Sequence, residues 1–188
     1  MEELSDKKLI ILYLKKREGK ALEILINRYL KPIYNFIFRL TNDQEEAEDL
    51  TIETFLKMWK NLRRFNLKKN FRGWLFTVAK NTTFDFFRKK KEYSFKDLSF
   101  FDENFEEKIP SEVSLEEEIN QNYNLKILEE EIRKLPLHYR VVLFLRYNDH
   151  LSLPEISEIL EKPLNTIKSW HFRALKILKT NISQKFDN

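Results

Sequence analysis

Residues 61–91, NLRRFNLKKNFRGWLFTVAKNTTFDFFRKKK, carry ten Lys/Arg, at 63, 64, 68, 69, 72, 80, 88, 89, 90 and 91, against a single acid, Asp85. Seven Phe/Trp are interleaved with them, at 65, 71, 74, 76, 84, 86 and 87. Cations neutralise phosphates and aromatic faces stack on unpaired bases, so the combination points to a surface that handles nucleic acid, opened strands included. A short polar loop over 66–70 leads into a predicted helix over 71–91. At about 100° per residue, Phe71, Leu75, Val78, Ala79, Thr82 and Phe86 share one face and form its predicted core stripe. Phe84 falls roughly opposite, beside Lys80, Arg88 and Lys91. Phe76 and Phe87 also lie off the stripe. Two readings stay open for these three rings: packing on another helix or on a linker, or contact with bases and sugars on a basic face.

Helical spacing continues upstream. Residues 5–17 start at Ser5 as a plausible N-cap, with Leu9, Ile10, Leu12 and Tyr13 following. A second helix over 20–40 uses Leu22, Leu25, Ile26, Tyr29, Ile33, Phe36, Ile37 and Leu40, with Pro32 inside it. Thr41, Asn42 and Asp43 form a break and cap. A third helix over 45–65 uses Ala47, Leu50, Thr54, Phe55, Met58 and Leu62. The scarcity of Gly, two in the chain, and the lack of β-branched alternation argue for helices throughout.

Downstream, the pattern changes. Residues 92–114, EYSFKDLSFFDENFEEKIPSEVS, lack a clean period and read as an acidic linker. Helix is expected again over 115–135 and 136–147, with a turn at 148–150. Ser152, Leu153, Pro154 and Glu155 fit a capping box, in which Ser accepts from a first-turn amide and Glu reaches back. That short helix ends near residue 160, a turn follows at 161–163, and a last helix runs to about 182. Two short helices joined by a tight turn are the helix-turn-helix signature. The expected fold is all-α: two small helical domains, 1–91 and 115–188, joined by the linker.

Charge follows the same division. Residues 1–91 carry 21 basic and 12 acidic side chains, residues 92–131 carry 3 and 13, and residues 132–188 carry 10 and 5. Two anion-binding modules around an acidic connector would look like this. The absence of Cys excludes a disulfide scaffold and thiolate metal sites, and no metal or cofactor is expected. No apolar run approaches the roughly 18 residues of a membrane span, and no signal peptide precedes the first helix, so a cytoplasmic location is expected. An enzyme finds little support: there is no phosphate-cradling Gly loop, no metal cluster and no nucleophile–base spacing.

Three segments together resemble a known family. Ala47-Glu48-Asp49-Leu50-Thr51-Ile52-Glu53-Thr54-Phe55 resembles the polymerase-binding helix of bacterial sigma factors. Phe71-Arg72-Gly73-Trp74-Leu75-Phe76-Thr77-Val78-Ala79-Lys80-Asn81, followed by Asp85 and Arg88, resembles their promoter-melting and −10-reading segment. Leu135-Pro136, Arg140, Leu151 to Ser157, Thr166-Ile167-Lys168-Ser169 and Arg173-Ala174 resemble their −35-reading helix-turn-helix. The order and the short two-domain form are similar to the extracytoplasmic-function (ECF) subgroup.

The resemblance implies a division of labour. Glu46, Asp49, Leu50, Glu53, Phe55 and Trp59 would meet core RNA polymerase. Asp49 and Glu53, four apart, share one helical face suited to a basic partner, although an internal pair of Glu53 with Lys57 is the simpler reading of those residues alone. Arg63, Arg64, Phe65, Asn66, Lys68, Lys69, Asn70, Arg72, Lys80, Asn81, Phe84 and Arg88 would meet the −10 element, the loop at 65–70 holding a flipped base of the non-template strand. Asn165, Thr166, Lys168, Ser169, Phe172, Arg173 and Lys176 are the outward candidates for −35 duplex DNA. Trp170 and His171 depart from the family's pattern. Trp170 is read either against the sugar backbone or as packing within the module, and His171 as a hydrogen-bonded residue at the core edge. An anti-sigma partner is also implied. The competing reading is a stand-alone helix-turn-helix regulator, with residues 1–91 as a dimerisation or ligand domain.

Overall fold

The computed structural model describes residues 3–90 and 125–186, and the chain divides into two compact units, Met1–Lys90 and Lys91–Asn188. All the described regular structure is helical. The expected linker at 92–114 and the start of the helix expected from 115 lie outside the described residues.

The first unit comprises α1 (Asp6–Lys16), α2 (Gly19–Thr41), α3 (Gln44–Asn61), a 3-10 turn (Leu62–Arg64) and α4 (Phe71–Lys90). α2 lies at its centre and packs on α1, α3 and α4, while α3 also packs on α4. Leu25, Ile33, Phe36, Ile37, Ala47, Met58, Leu75 and Phe76 are buried in this core. Phe36 of α2 meets Phe76 of α4 edge-on at 5.4 Å, and Tyr29 meets Phe71 in the same way at 5.5 Å. Such pairs add to the burial itself.

The helix boundaries have local causes. α2 ends on Asn42 in the left-handed region at φ 56°, which Asn tolerates better than most residues. Asp43 then caps α3, accepting the Glu46 N–H at 3.0 Å, a contact typically worth about 1 kcal/mol. Ser5 is the N-cap residue of α1 but makes no side-chain cap bond. Instead, α1 is held through Asp6, which accepts from Arg28 Nη1 and from the Tyr29 hydroxyl, both at 2.5 Å. Burial first, and then the bond to Asp6, push the Tyr29 phenol well above its usual range. α3 stops at Asn61 rather than continuing to 65, because the chain tightens into the 3-10 turn and becomes extended at Phe65.

α4 departs most from expectation. It packs against both α2 and α3, so burial covers more than half of its circumference rather than one stripe. Phe71, Leu75, Ala79 and Thr82 are buried as expected, and so are Phe76, Phe84 and Phe87. Val78 and Phe86, placed on the core stripe from the sequence, are only half-buried.

The second unit comprises α5 (Leu125–Lys134), α6 (Leu137–Leu143) running into a π turn (Phe144–Asn148), α7 (Leu153–Leu160) and α8 (Leu164–Phe186). α8 packs on α5, α6 and α7. The capping box forms: Ser152 N–H donates to Glu155 Oε2 at 2.8 Å, and Glu155 N–H donates to Ser152 Oγ at 3.4 Å. The turn into α8 starts at Glu161, φ 55°, and is braced by the Ser157 hydroxyl donating to the Lys162 carbonyl at 2.5 Å. Among the described residues no helix is long and apolar enough to cross a membrane.

Candidate nucleic-acid and partner interfaces

Helical periodicity divides α3 in two. Ala47, Leu50, Thr51, Thr54, Phe55 and Met58 turn inward. Leu50 and Phe55 therefore belong to the core of the unit, which corrects their expected place on the partner-facing side: they share the angular sector that packs on α2 and α4. The outer face carries Asp49 and Glu53, both exposed, with Ile52 (61 % exposed), Leu56 (49 %) and Trp59 (50 %) between and beyond them. Ile52, Leu56 and Trp59 are spaced i, i+4, i+7 and form one row. Glu53 pairs with Lys57 at 2.8 Å, the internal pair anticipated from the spacing. Glu46 pairs with Lys90, at the end of α4. The indole N–H of Trp59 donates to the Tyr13 hydroxyl of α1 at 2.7 Å.

The loop before α4 is pinned by aromatics. Phe65 is half-buried, with ring centroids 5.5 Å from Phe71 and 4.8 Å from Trp74. Asn66 Oδ1 accepts the Lys68 N–H at 2.9 Å, and Asn70 Oδ1 accepts the Arg72 N–H at 3.0 Å, so Asn70 serves as the cap of α4. Arg63, Arg64, Asn66, Lys68, Lys69 and Asn70 are all exposed. No acid occurs from 63 to 72, and both Asn side-chain oxygens are committed to loop backbone. The loop side chains bring exposed positive charge and amide N–H donors together, with each Asn oxygen also accepting a backbone N–H. That chemistry suits phosphate oxygens and the acceptor atoms of a base edge.

On α4 the open face carries Asn81 and Arg88, with Arg88 paired to Asp85 at 3.2 Å. The Arg72 guanidinium sits over the Phe76 ring at 5.7 Å. Lys80 and Phe84, expected on the nucleic-acid side, are buried instead, Phe84 with only 2 % exposed. The physical reason is the double packing of α4, which leaves a narrow outward arc around Asn81, Asp85 and Arg88.

In the second unit Asn165, Lys168 and Lys176 of α8 are exposed, and Phe172 and Arg173 are half-buried. Thr166 and Ser169, expected to face outward, are buried. Thr166 and Ser169 adjoin Ile167 and Trp170 on the side of α8 that packs on the other helices of the unit. Trp170 is fully enclosed, its ring 4.8 Å from His138, so the packing reading holds and its contact lies within the module. His171 sits at the core edge with its Nε2 2.9 Å from the Tyr147 hydroxyl. Among the described residues no His/Asp/Glu cluster could hold a metal ion.

Residues 25–93 match the Sigma-70 region 2 family and residues 125–178 match Sigma-70 region 4. The ECF RNA polymerase sigma factor SigW of Bacillus subtilis (strain 168) is 31 % identical over 177 residues, spanning 89 % of this chain and 92 % of the relative. The chain belongs to the ECF sigma factors of RNA polymerase. The fold of this sigma factor is that of solved relatives. One is CnrH in complex with the cytosolic domain of CnrY, with a TM-score of 0.69 and 18 % identity over 95 % of this chain and 97 % of the other. Another is the sigma factor RpoE of Bartonella quintana with the anti-sigma factor NepR, at 0.64 and 22 % over 86 % and 96 %. A region 2 match over 25–93 disfavours the stand-alone regulator, which has no use for such a unit.

The row of Ile52 and Leu56 on the outer face of α3, and Tyr13 of α1 beside it, were not singled out from the sequence. Ile52 and Leu56 are apolar residues on the polar face of an amphipathic helix, a signal visible at 3.6 periodicity once the inward face is fixed. Tyr13 gave no signal, since its bond to Trp59 joins positions 46 residues apart.

Proposed function

We propose that this sigma factor docks on core RNA polymerase through the outer face of α3, with Asp49 and Glu53 meeting cations around the apolar row. The loop at 65–70, with Arg72, Asn81 and Arg88, takes the unpaired −10 non-template strand. Extruding a base costs a few kcal/mol of stacking, offset by donors that match its acceptor atoms. The exposed side of α8, Asn165, Lys168, Arg173 and Lys176, reads the −35 duplex from the major groove. Docking holds both DNA-binding units at promoter spacing, so each raises the effective concentration of the other's site. The protein thus acts by binding, in the cytoplasm, without a covalent step of its own. An anti-sigma protein is a further partner in this reading.

The observation that carries the proposal is one unit that combines the acidic and apolar outer face of α3 with an exposed, cation-rich loop at 65–70 that holds no acid. The test is transcription from genomic promoter fragments with core polymerase, with and without the protein. Protein-dependent transcripts and co-purification with the core enzyme are expected. A protein that neither co-purifies nor directs transcripts contradicts the reading.

A further inference from the structure

Three of the large exposed apolar side chains lie in one row on α3: Ile52, Leu56 and Trp59. An exposed Trp on a surface helix ordinarily samples several rotamers. Here the ring is tied, because its Nε1–H donates to the Tyr13 hydroxyl at 2.7 Å. Tyr13 stands on a firm base: Leu9 and Ile10 of α1 are buried, and Asp6 is bonded to Arg28 and Tyr29 of α2. The bond contributes little to the fold, since both partners are in reach of water that could replace it.

Its value is greater for binding. A side chain already held in place loses less freedom when a partner covers it, and a Trp beside aliphatic neighbours is a common anchor at interfaces. The surroundings specify the partner's chemistry. Asp49 and Glu53, the latter paired with Lys57, are exposed along one side of the row, so the complementary surface is apolar against the row and cationic along that side. We propose that Tyr13 is a positioning residue for polymerase docking: it holds the Trp59 indole on the docking face, which makes α1 part of that interface. This rests on the docking proposed for α3.

The test is a double-mutant cycle with full-length protein and core RNA polymerase, read as binding affinity beside thermal melting. Tyr13→Phe is expected to weaken binding roughly threefold to tenfold, the span of one modest hydrogen bond, with the melting temperature unchanged. In a Trp59→Phe background, Tyr13→Phe should have no further effect, which a general structural role would not produce. Parent-like binding of Tyr13→Phe, or an equal loss in both backgrounds, overturns the inference. Asp49→Ala with Glu53→Ala separates the two levels. If this pair weakens binding while Tyr13→Phe does not, only the role of Tyr13 fails. If neither acid nor Trp59 substitutions weaken it, docking through α3 fails and the inference with it.

Discussion

The Lys185 ammonium lies 2.9 Å from the Glu131 carboxylate and joins the last turns of α8 to α5. Lys134 donates to the same carboxylate at 2.7 Å and Asn181 at 3.1 Å. These bonds, that of Lys134 first, lower the Glu131 pKa from 4.5 to about 2. The hydrogen bond to Glu131 in turn raises Lys185. For a carboxyl lowered by folding, the stabilisation is present above the unfolded value and is lost as pH falls toward the folded one. Melting temperature should therefore fall between pH 4.5 and about 2. Glu131→Gln should be less stable at neutral pH and show a flatter decline across that window. Parallel curves for parent and variant would remove Glu131 from the acid response.

Phe84 and Asn81 lie three residues apart on α4 but face different surroundings: Phe84 is buried and Asn81 exposed. Phe84→Ala should cost about 3–5 kcal/mol of stability, as for other buried rings. Asn81→Ala should leave the melting temperature in place and weaken open-complex formation several-fold, on the order of one lost polar contact. Chemical denaturation and a promoter-opening assay on both variants check the pair. A Phe84→Ala protein as stable as the parent would return that ring to the nucleic-acid face.

Gly73 sits in the first turns of α4, without a positive φ, and a Cβ there would meet nothing within 4 Å. Gly73→Ala should stabilise the fold by about 0.4–1 kcal/mol, mainly by restricting the unfolded chain. Urea denaturation measures it, and a destabilised variant would mean that the backbone at 73 is less open than described.

Lys168 and Lys176 are the exposed cations of α8 assigned to the −35 contact. Replacing either with Ala should weaken binding of the polymerase–sigma complex to −35 DNA similarly across sequences. It should also lower the slope of log affinity against log salt by about one. Titrations at several KCl concentrations check this. An unchanged slope would mean that the residue meets no phosphate.

Local chemistry made much of the fold legible. The break expected at 41–43, which starts one residue later at Asn42, the Ser152–Glu155 box and the Glu161 turn each act through a few neighbouring atoms. α4 was harder. One helical period suggests one packed face, yet α2 and α3 both cover this helix, which a single amphipathic pattern does not encode. Lys80 and Phe84 were misplaced for that reason; Leu50 and Phe55 are buried as the apolar spacing of the third helix gives, and only the resemblance put them on the partner side. Thr166 and Ser169 were misplaced because the packed side of α8, with Ile167 and Trp170, is wide enough to take them in. The Tyr13–Trp59 bond depends on how α1 meets α3, which only the tertiary arrangement reveals.

Docking of α3 on core RNA polymerase is the claim on which the rest depends, and the Asp49→Ala, Glu53→Ala double variant tests it most directly. Both side chains are exposed, and the pair of Glu53 with Lys57 is a surface pair of small worth, so the fold should be unaffected. Equilibrium binding to core polymerase should weaken roughly tenfold or more, with unchanged circular dichroism and melting. A double variant that binds as tightly as the parent would contradict docking through this face.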